Sequence, residues 1–187
     1  LTATGAMAAV PVSARAQSFS VTAPGEFEIQ DFIWLSWREE GFLGSAPFSD
    51  VATEIMRAIT PAVKVRLLYS NEEPPYSFGS NRARTLPRPE AEARIGEKLR
   101  RAGVDVGQVE FVFYPKAFGA IQDPGPFFLR NSTGGLAIAD YQYEHPDPLS
   151  EAMDRSIAAQ LDLPTVSSRL ISEGGGRQSN RCGSTKP

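Results

Sequence analysis

The stretch that decides the fold is Ile121-Gln122-Asp123-Pro124-Gly125-Pro126-Phe127-Phe128-Leu129-Arg130, in which a tight turn leads directly into an apolar strand. The two prolines fix their φ angles, and Gly125 can adopt the φ that a turn demands. The bulky run from Phe127 to Leu129 follows at once and has the composition of a strand. This arrangement predicts that the carboxylate of Asp123 is held stiffly at the end of a strand.

A carboxylate held in one pose is suited to a planar cation. A guanidinium group pairs with a carboxylate through two parallel hydrogen bonds, so the carboxylate must be positioned as well as present. A simpler interpretation is that Asp123 only caps the turn formed by Pro124-Gly125-Pro126. The residues of this stretch, taken alone, favour the simpler interpretation.

The composition of the chain excludes several classes of function. The 187 residues are enough for one ordinary domain, and 41% are hydrophobic and 22% charged, as in globular proteins. The net charge of −3 gives no electrostatic reason to expect nucleic acid or an anionic membrane as a partner. No apolar run reaches the roughly 18 residues that a membrane-spanning helix needs.

Cysteine and histidine are each present once. A single cysteine, Cys182, excludes an internal disulfide framework. A single histidine, His145, leaves no room for a multi-histidine metal site, and no HExxH or CxxC spacing occurs. We therefore expect no metal site.

The first sixteen residues predict the remnant of a secretory signal peptide. They are small and mildly apolar and contain no acid, and Ala14-Arg15-Ala16 fits an A-x-A cleavage pattern with Gln17 as the first mature residue. This interpretation predicts a periplasmic or extracellular protein, cleaved near Ala16, whose domain covers residues 17–187. The alternative is a disordered leader or a cloning remnant.

The hydrophobic pattern alternates between strands and helices. This alternation predicts an α/β fold with partly parallel strands. The predicted strands cover residues 32–37, 63–69, 109–114, 127–129, 136–143 and 166–171, and residues 71–89 are predicted to form a loop. The predicted helices bury three apolar stripes: Val51, Ile55 and Ile59; Ala91, Ile95 and Leu99, with Gly103 as the C-cap; and Leu149, Met153, Ile157 and Leu161.

Two short motifs resemble a known family. Asp123-Pro124-Gly125-Pro126 and, fifty residues later, Glu173-Gly174-Gly175 resemble the guanidine-modifying (pentein) enzymes. The most similar branch contains agmatine deiminase and the Porphyromonas-type peptidylarginine deiminase, and the resemblance runs from about residue 31 to residue 184. It implies a five-unit ββαβ propeller, of which this chain would carry the N-terminal portion, about two units and part of a third. Residues 17–187 would then be an incomplete deiminase domain.

The resemblance also implies site residues and chemistry. It implies that Asp123 binds the substrate guanidinium and that Glu173 lies at the rim of the active site, although Glu173 is equally explained as a strand-end acid. Members of the family hydrolyse a guanidinium to a ureido group through a cysteine thiouronium intermediate and release ammonia, with no metal or organic cofactor. The implied partner is a small guanidine or an arginyl peptide, and homo-oligomerisation of the full-length form is left open.

The sequence departs from the family pattern at several positions. The family usually has Trp-x-Arg-Asp before the turn, whereas this chain has Ala120-Ile121-Gln122-Asp123. Where the Porphyromonas-type enzymes have a basic pair that reads a substrate carboxylate, His145 and Asp147 stand here. His145 remains a candidate substrate-binding residue, and its simpler interpretation is an exposed loop histidine. Which guanidine is the substrate stays open.

The catalytic cysteine and the His-x-Asp pair of the family come from later units, and Cys182 does not match that cysteine. We therefore expect the 187 residues to be inactive alone and to expose an unpaired sheet edge. The alternative function is a non-catalytic guanidine- or peptide-binding periplasmic module. A third possibility is a periplasmic α/β domain of unrelated function, in which Asp123 only closes a turn.

Overall fold

The computed structural model describes residues 21–25, 28–39, 47–73, 84–116, 121, 125–143 and 148–171. Strands and helices alternate through most of this part of the chain, as the sequence pattern predicts. In chain order the elements are β1 (Val21–Thr22), β2 (Phe32–Ser36), α1 (Phe48–Ile59), β3 (Lys64–Tyr69), β4 (Glu72–Glu73), β5 (Arg84–Thr85), α2 (Arg88–Arg101), β6 (Val109–Phe113), β7 (Phe127–Asn131), β8 (Leu136–Gln142), α3 (Pro148–Gln160) and β9 (Thr165–Ile171).

The strands form two main sheets. One is fully parallel in the order β2-β3-β6, and α1 and α2 are the crossovers that parallel neighbours require. The other has the order β1-β7-β8-β9, with β7 antiparallel to β1 and β8, and β9 parallel to β8. The segment β7-β8-α3-β9 is a ββαβ unit, as the resemblance implies, and the predicted α/β fold is confirmed.

The two faces of the parallel sheet contribute to two separate cores. On one face, α1 and α2 pack over the sheet, and Met56, Leu67 and Leu99 are fully buried there. On the opposite face, Leu68 and Val112 pack against the second sheet and α3. Successive residues of a strand point to opposite faces, so β3 serves both cores.

The stripe predicted for α1 is wrong at Val51 and Ile55, whereas Ile59 is partly buried against the core. Val51 is 52% and Ile55 is 40% exposed, whereas the buried residues of this helix include Ala52, Thr53 and Met56. The Thr53 hydroxyl donates to the Ser49 carbonyl at 2.6 Å, which satisfies a polar group on the buried face. Small side chains on this face let the helix approach the sheet closely, and Met56 fills the remaining space.

The other helical stripes are closer to the prediction. Ala91, Ile95 and Leu99 are buried as predicted, and Gly103 follows α2 with φ +80°, the left-handed conformation typical of a helix end. In α3, Met153 and Ile157 are fully buried, but Leu149 is 39% exposed because it lies in the first turn, at the margin of the core.

The prediction that residues 71–89 form only a loop is wrong. This segment contains the paired strands β4 and β5 and the first two residues of α2. Among the residues that the structure describes, no helix combines the length and the apolar character that crossing a membrane requires.

Replacing Met56 should destabilise the chain far more than replacing Val51. Met56→Ala removes a fully buried side chain and should lower the free energy of unfolding by about 2–5 kcal/mol. Val51→Ala acts on a side chain that is 52% exposed and should change it by less than about 1 kcal/mol. Urea titrations of the two variants check this, and equal losses would contradict the assigned face of α1.

Tyr69 should make the free energy of unfolding depend on pH under alkaline conditions. Its burial, and then the nearby carboxylate of Glu92, raise the pKa of Tyr69 to about 12, while Arg88 lowers this pKa. The hydroxyl donates to Glu92 Oε2 at 3.3 Å. In the unfolded chain this tyrosine ionises near pH 10. Its contribution to the free energy of unfolding is therefore complete below about pH 10 and is lost as the pH rises from about 10 to 12.

The comparison variant is Tyr69→Phe, which removes the ionisable group and keeps the ring. The fall in unfolding free energy between pH 10 and 12 should be shallower in this variant than in the parent, measured by urea titration at each pH. Parallel pH profiles for the two proteins would show that Tyr69 does not ionise differently in the folded state.

Candidate functional site

The three predicted site residues, Asp123, His145 and Glu173, lie outside the described residues. The strand ends that flank them are described, and these ends can be located relative to one another. Asp123 precedes the start of β7 by four residues, His145 follows the end of β8 by three, and Glu173 follows the end of β9 by two.

These strand ends meet at one edge of the mixed sheet. Because β7 and β8 are antiparallel, with Phe127 opposite Ala139, β7 starts beside the place where β8 ends. Because β8 and β9 are parallel, with Gln142 opposite Ile171, these two strands end side by side. We call the line from Phe127 through Gln142 to Ile171 the shared edge.

The turn before β7 is closed by a backbone hydrogen bond. The Gly125 N–H donates to the Ile121 carbonyl at 2.7 Å. A Cβ atom at Gly125 would lie 2.1 Å from that oxygen, so close backbone approach requires glycine here. Ile121 packs against the core that the parallel sheet shares with α3. The two residues that bracket Gln122-Asp123-Pro124 are therefore fixed on the body of the domain.

The connection from β8 to α3 is also anchored at both ends. The Tyr143 N–H donates to Glu151 Oε1 at 2.7 Å, which ties the end of β8 to the first turn of α3. The Tyr114 hydroxyl donates to the Leu149 carbonyl, and Lys116 Nζ donates to Ser150 Oγ at 3.3 Å. The carboxyl end of β6 therefore lies against the start of α3, on the same side of the molecule as the shared edge.

A buried acid lies on β8 close to this edge. Asp140 is 8% exposed, and Arg155 Nη1 on α3 lies 2.8 Å and 3.0 Å from its two carboxylate oxygens. The Ser167 hydroxyl on β9 donates to Asp140 Oδ2 at 3.2 Å, and Arg155 Nη2 donates to the Glu151 carbonyl at 3.0 Å. One acid thus links β8, β9 and α3 where the three elements approach the shared edge.

The sequence analysis did not predict this group of interacting side chains, which consists of Asp140, Arg155 and Ser167. The available signal was an acid inside the apolar run Leu136-Ala137-Ile138-Ala139-Asp140 and an arginine on the polar side of a predicted helix. A charged residue in such a run is rarely buried without a partner, so it indicates an ion pair. The sequence does not indicate which of the 19 basic residues is that partner.

The described polar side chains around the shared edge are hydrogen-bonded within the chain. Glu151 accepts from the Tyr143 N–H, and the Lys116 amine donates to the Ser150 hydroxyl. Within the described ranges the edge has no thiol and no imidazole, since Cys182 and His145 lie outside them. This part of the edge therefore supplies hydrogen bonds and charge, but not a nucleophile of the cysteine type.

A cleft of about 640 Å³ lies at the amino ends of the strands of the parallel sheet, away from the shared edge. It is lined by the residues before β2 and β3 and by Asp105 and Gln108 before β6, among others. Ligands of parallel α/β sheets bind at the carboxyl ends of the strands, whereas this cleft lies at the amino ends. We therefore take the shared edge as the candidate functional site.

Comparison with known proteins gives matches among solved structures. No protein-family model matches the sequence, and no curated protein is similar enough to count as a match. The agmatine deiminase of Enterococcus faecalis superposes with a TM-score of 0.60 at 16% identity, over 84% of this chain and 40% of the enzyme. A candidate peptidyl-arginine deiminase gives 0.60 at 17% identity, over 90% of this chain and 46% of that chain.

A candidate arginine deiminase of Porphyromonas gingivalis gives a TM-score of 0.56 at 13% identity, over 85% of this chain and 44% of that chain. The chain thus spans less than half the length of each of these three structures. The backbones are similar although the sequence identities are low. The chain therefore has the pentein fold of the agmatine and peptidyl-arginine deiminases.

Proposed function

We propose that this chain is the guanidinium-binding portion of a deiminase that hydrolyses a guanidine to a ureido product and ammonia. The observation that supports it best is the pairing of β7, β8 and β9, which brings the strand ends flanking Asp123, His145 and Glu173 to the shared edge. Strand ends that are far apart in sequence thereby lie side by side. The pentein fold of the chain supports the same reaction class by analogy.

Asp123 has the central role in this proposal. Its carboxylate accepts two parallel hydrogen bonds from the substrate guanidinium, which fixes the plane of the cation. The hydrogen bond from the Gly125 N–H to the Ile121 carbonyl, which fixes the described residues on either side of Asp123, supports this role. Glu173 and His145 contribute at the rim, where they contact the part of the substrate that carries the guanidine.

The chemical steps need a thiolate and an acid–base group in addition. A thiolate attacks the guanidinium carbon, ammonia leaves after proton transfer, and water then hydrolyses the thiouronium adduct to the ureido product. Among the residues of this sequence, Cys182 does not match the nucleophile of the family. In this proposal Asp123 holds the cation and Glu173 lies at the rim. The nucleophile and the general acid are the cysteine and the His-x-Asp pair that the family carries in later units, and the reaction uses no metal or organic cofactor.

We further infer that the protein is exported, since Ala14-Arg15-Ala16 fits a signal-peptide cleavage site. The substrate is a small guanidine or an arginyl peptide, and the full-length form is a candidate for homo-oligomerisation.

Replacing Asp123 should weaken guanidine binding. Asp123→Asn removes one negative charge, and its amide can accept from only one side of the guanidinium. Charge-assisted hydrogen bonds contribute about 1.5–3 kcal/mol each, so the dissociation constant for agmatine should rise by at least about tenfold. Isothermal titration calorimetry with agmatine and with methylguanidinium measures this change.

The matched control is Asp31→Asn, which makes the same change in charge at an exposed site by the opposite cleft. This control should bind agmatine as the parent does. Equal binding by the parent and the Asp123→Asn variant would contradict the proposed role of Asp123 and favour the interpretation in which this residue only closes a turn.

The alternative function is a non-catalytic guanidine- or peptide-binding module. The outer edge of β9 favours it, because Leu170 and Ile171 are 56% and 63% exposed and no other described strand pairs with this edge. An extended peptide can add to such an edge as a further strand. On either interpretation the 187-residue chain should bind guanidines without releasing ammonia from them.

An ammonia assay with agmatine and with an arginyl peptide checks this expectation. Ammonia release above that of a buffer blank would overturn the expected inactivity and would exclude a purely binding function. No release, together with guanidine binding that requires Asp123, is the expected result.

A further inference from the structure

We propose that two copies of this chain associate about a two-fold axis through the outer edge of β2 and the flank of α1 beside it. β2 is a terminal strand of the parallel sheet, and no other described strand pairs with its outer side. We call this area the β2 surface; it comprises Phe32, Ile33 and Trp34 of β2 and Val51 and Ile55 of α1. The shared edge belongs to the other sheet, so this inference does not rest on the proposed function.

One hydrogen bond fixes the direction of the backbone groups of β2. The Trp37 N–H donates to the Leu68 carbonyl of β3 at 2.8 Å. Alternate residues of a strand direct their N–H and C=O groups to the same side, so the even-numbered residues of β2 direct theirs outward. Of these, Phe32 and Trp34 are partly exposed, whereas Ser36 is buried. The open part of the edge therefore runs from Phe32 to Trp34.

The flank of α1 that lies beside this edge is apolar. Lys98 Nζ of α2 lies 2.9 Å from Asp50 Oδ1, so the Asp50 side of α1 faces α2. Because α1 connects β2 to β3 and α2 connects β3 to β6, α2 lies on the side of α1 away from β2. At about 100° per residue, Val51 and Ile55 lie across the buried face from Asp50, toward the outer edge of β2. Both side chains are exposed.

Ile33 connects the strand to this helical flank. Leu35, two residues further along β2, packs in the core under α1, so Ile33 points to the same face of the sheet. Ile33 is 36% exposed because it lies at the margin of that core. Together with Val51 and Ile55 it forms one apolar strip along the β2 surface.

The other terminal strands are less suited to pair with a copy of themselves. β9 has a register shift against β8, and its Leu170 N–H already donates to Ser168 Oγ at 3.1 Å. Irregular pairing of this kind protects an edge strand from association. β6 has no exposed apolar residue, and its Phe113 carbonyl accepts from Gln160 Nε2 at 3.1 Å. β2 has neither an irregularity nor a charged residue.

A second copy complements the β2 surface in one register. In an antiparallel pair centred on Ile33, Phe32 of one copy lies opposite Trp34 of the other, and the two such pairs exchange about four backbone hydrogen bonds. Ile33 then lies opposite Ile33 of the second copy. The two three-stranded sheets become continuous, and the α1 helices lie side by side with Val51 and Ile55 between them. No like charges meet, since every residue of the β2 surface is uncharged.

The contact is small, so the dimer should dissociate on dilution. β2 has five residues and α1 has twelve, which makes them about 17 Å and 18 Å long. A strip of this length belongs with the small, transient interfaces, which bury less than about 1,200 Å² in total. We expect mostly monomer at about 1 μM chain and mostly dimer at about 500 μM.

Sedimentation equilibrium of the 187-residue chain over this range is the test. The expected result is a monomer–dimer equilibrium with no larger species, because a two-fold contact closes at two copies. Ile33→Lys should raise the dissociation constant at least about tenfold, since two lysines then face each other at the axis. A mixture of the Ile33→Lys and Ile33→Glu variants should restore a dimer that contains one copy of each.

Two further variants complete the test. Leu136→Lys, the control, places a lysine at a residue of β8 that is 42% exposed and lies outside the β2 surface, and it should change the dissociation constant by less than about twofold. Ile55→Lys, on the exposed flank of a helix, should weaken the dimer as Ile33→Lys does. It keeps the test decisive if the strand variant does not fold, which urea titration of each variant at 1 μM shows.

Four results would overturn the proposed dimer. They are a chain that stays monomeric up to about 500 μM, assemblies larger than two copies, a dimer that both lysine variants of the β2 surface leave unchanged, and a mixture of folded Ile33→Lys and Ile33→Glu variants that stays monomeric. The last result would show that residue 33 does not lie opposite its counterpart at the axis.

Discussion

The packing of α3 against the parallel sheet is the contact on which the rest of the structure depends. Met153 and Ile157, both fully buried, meet Leu68 and Val112 in one core. This contact joins the two sheets and lets the Tyr114 hydroxyl reach the start of α3. Burying such side chains contributes roughly 1.5–3 kcal/mol each, more than any exposed ion pair of the chain. The carboxyl ends of β6 and β8 therefore lie on one side of the molecule.

Local patterns were sufficient to predict the three helices and the main strands, but not the short paired strands β4 and β5. The ββαβ unit follows from a hairpin around a glycine pair, a helical stripe and a strand, each visible within about 15 residues. The buried face of α1 was not predictable in this way, since its apolar residues fall on two faces. Contact with the sheet selects the face with Ala52 and Met56, and this long-range contact overrides the apolar spacing of Val51 and Ile55.

The candidate site was predictable only in part. The sequence predicts a stiff turn at Asp123, which lies outside the described residues, and the structure shows the backbone hydrogen bond between Gly125 and Ile121 on either side of it. The sequence does not indicate that β7, β8 and β9 share an edge, because strand order and register depend on pairing across the sheet. The ion pair between Asp140 and Arg155 could not be predicted from the sequence for the same reason, because it forms only when α3 lies across β8.

The most direct test of the proposed site is an amide NMR titration of the chain with methylguanidinium. Binding at the shared edge should give the largest shifts at the amides of Gly125, Phe127, Tyr143 and Ile171, which belong to three different strand ends. Shifts confined to the opposite cleft, or no saturable shift at millimolar ligand, would contradict the account. Clustered shifts at the shared edge would establish that the fold assembles a guanidinium site from these distant segments.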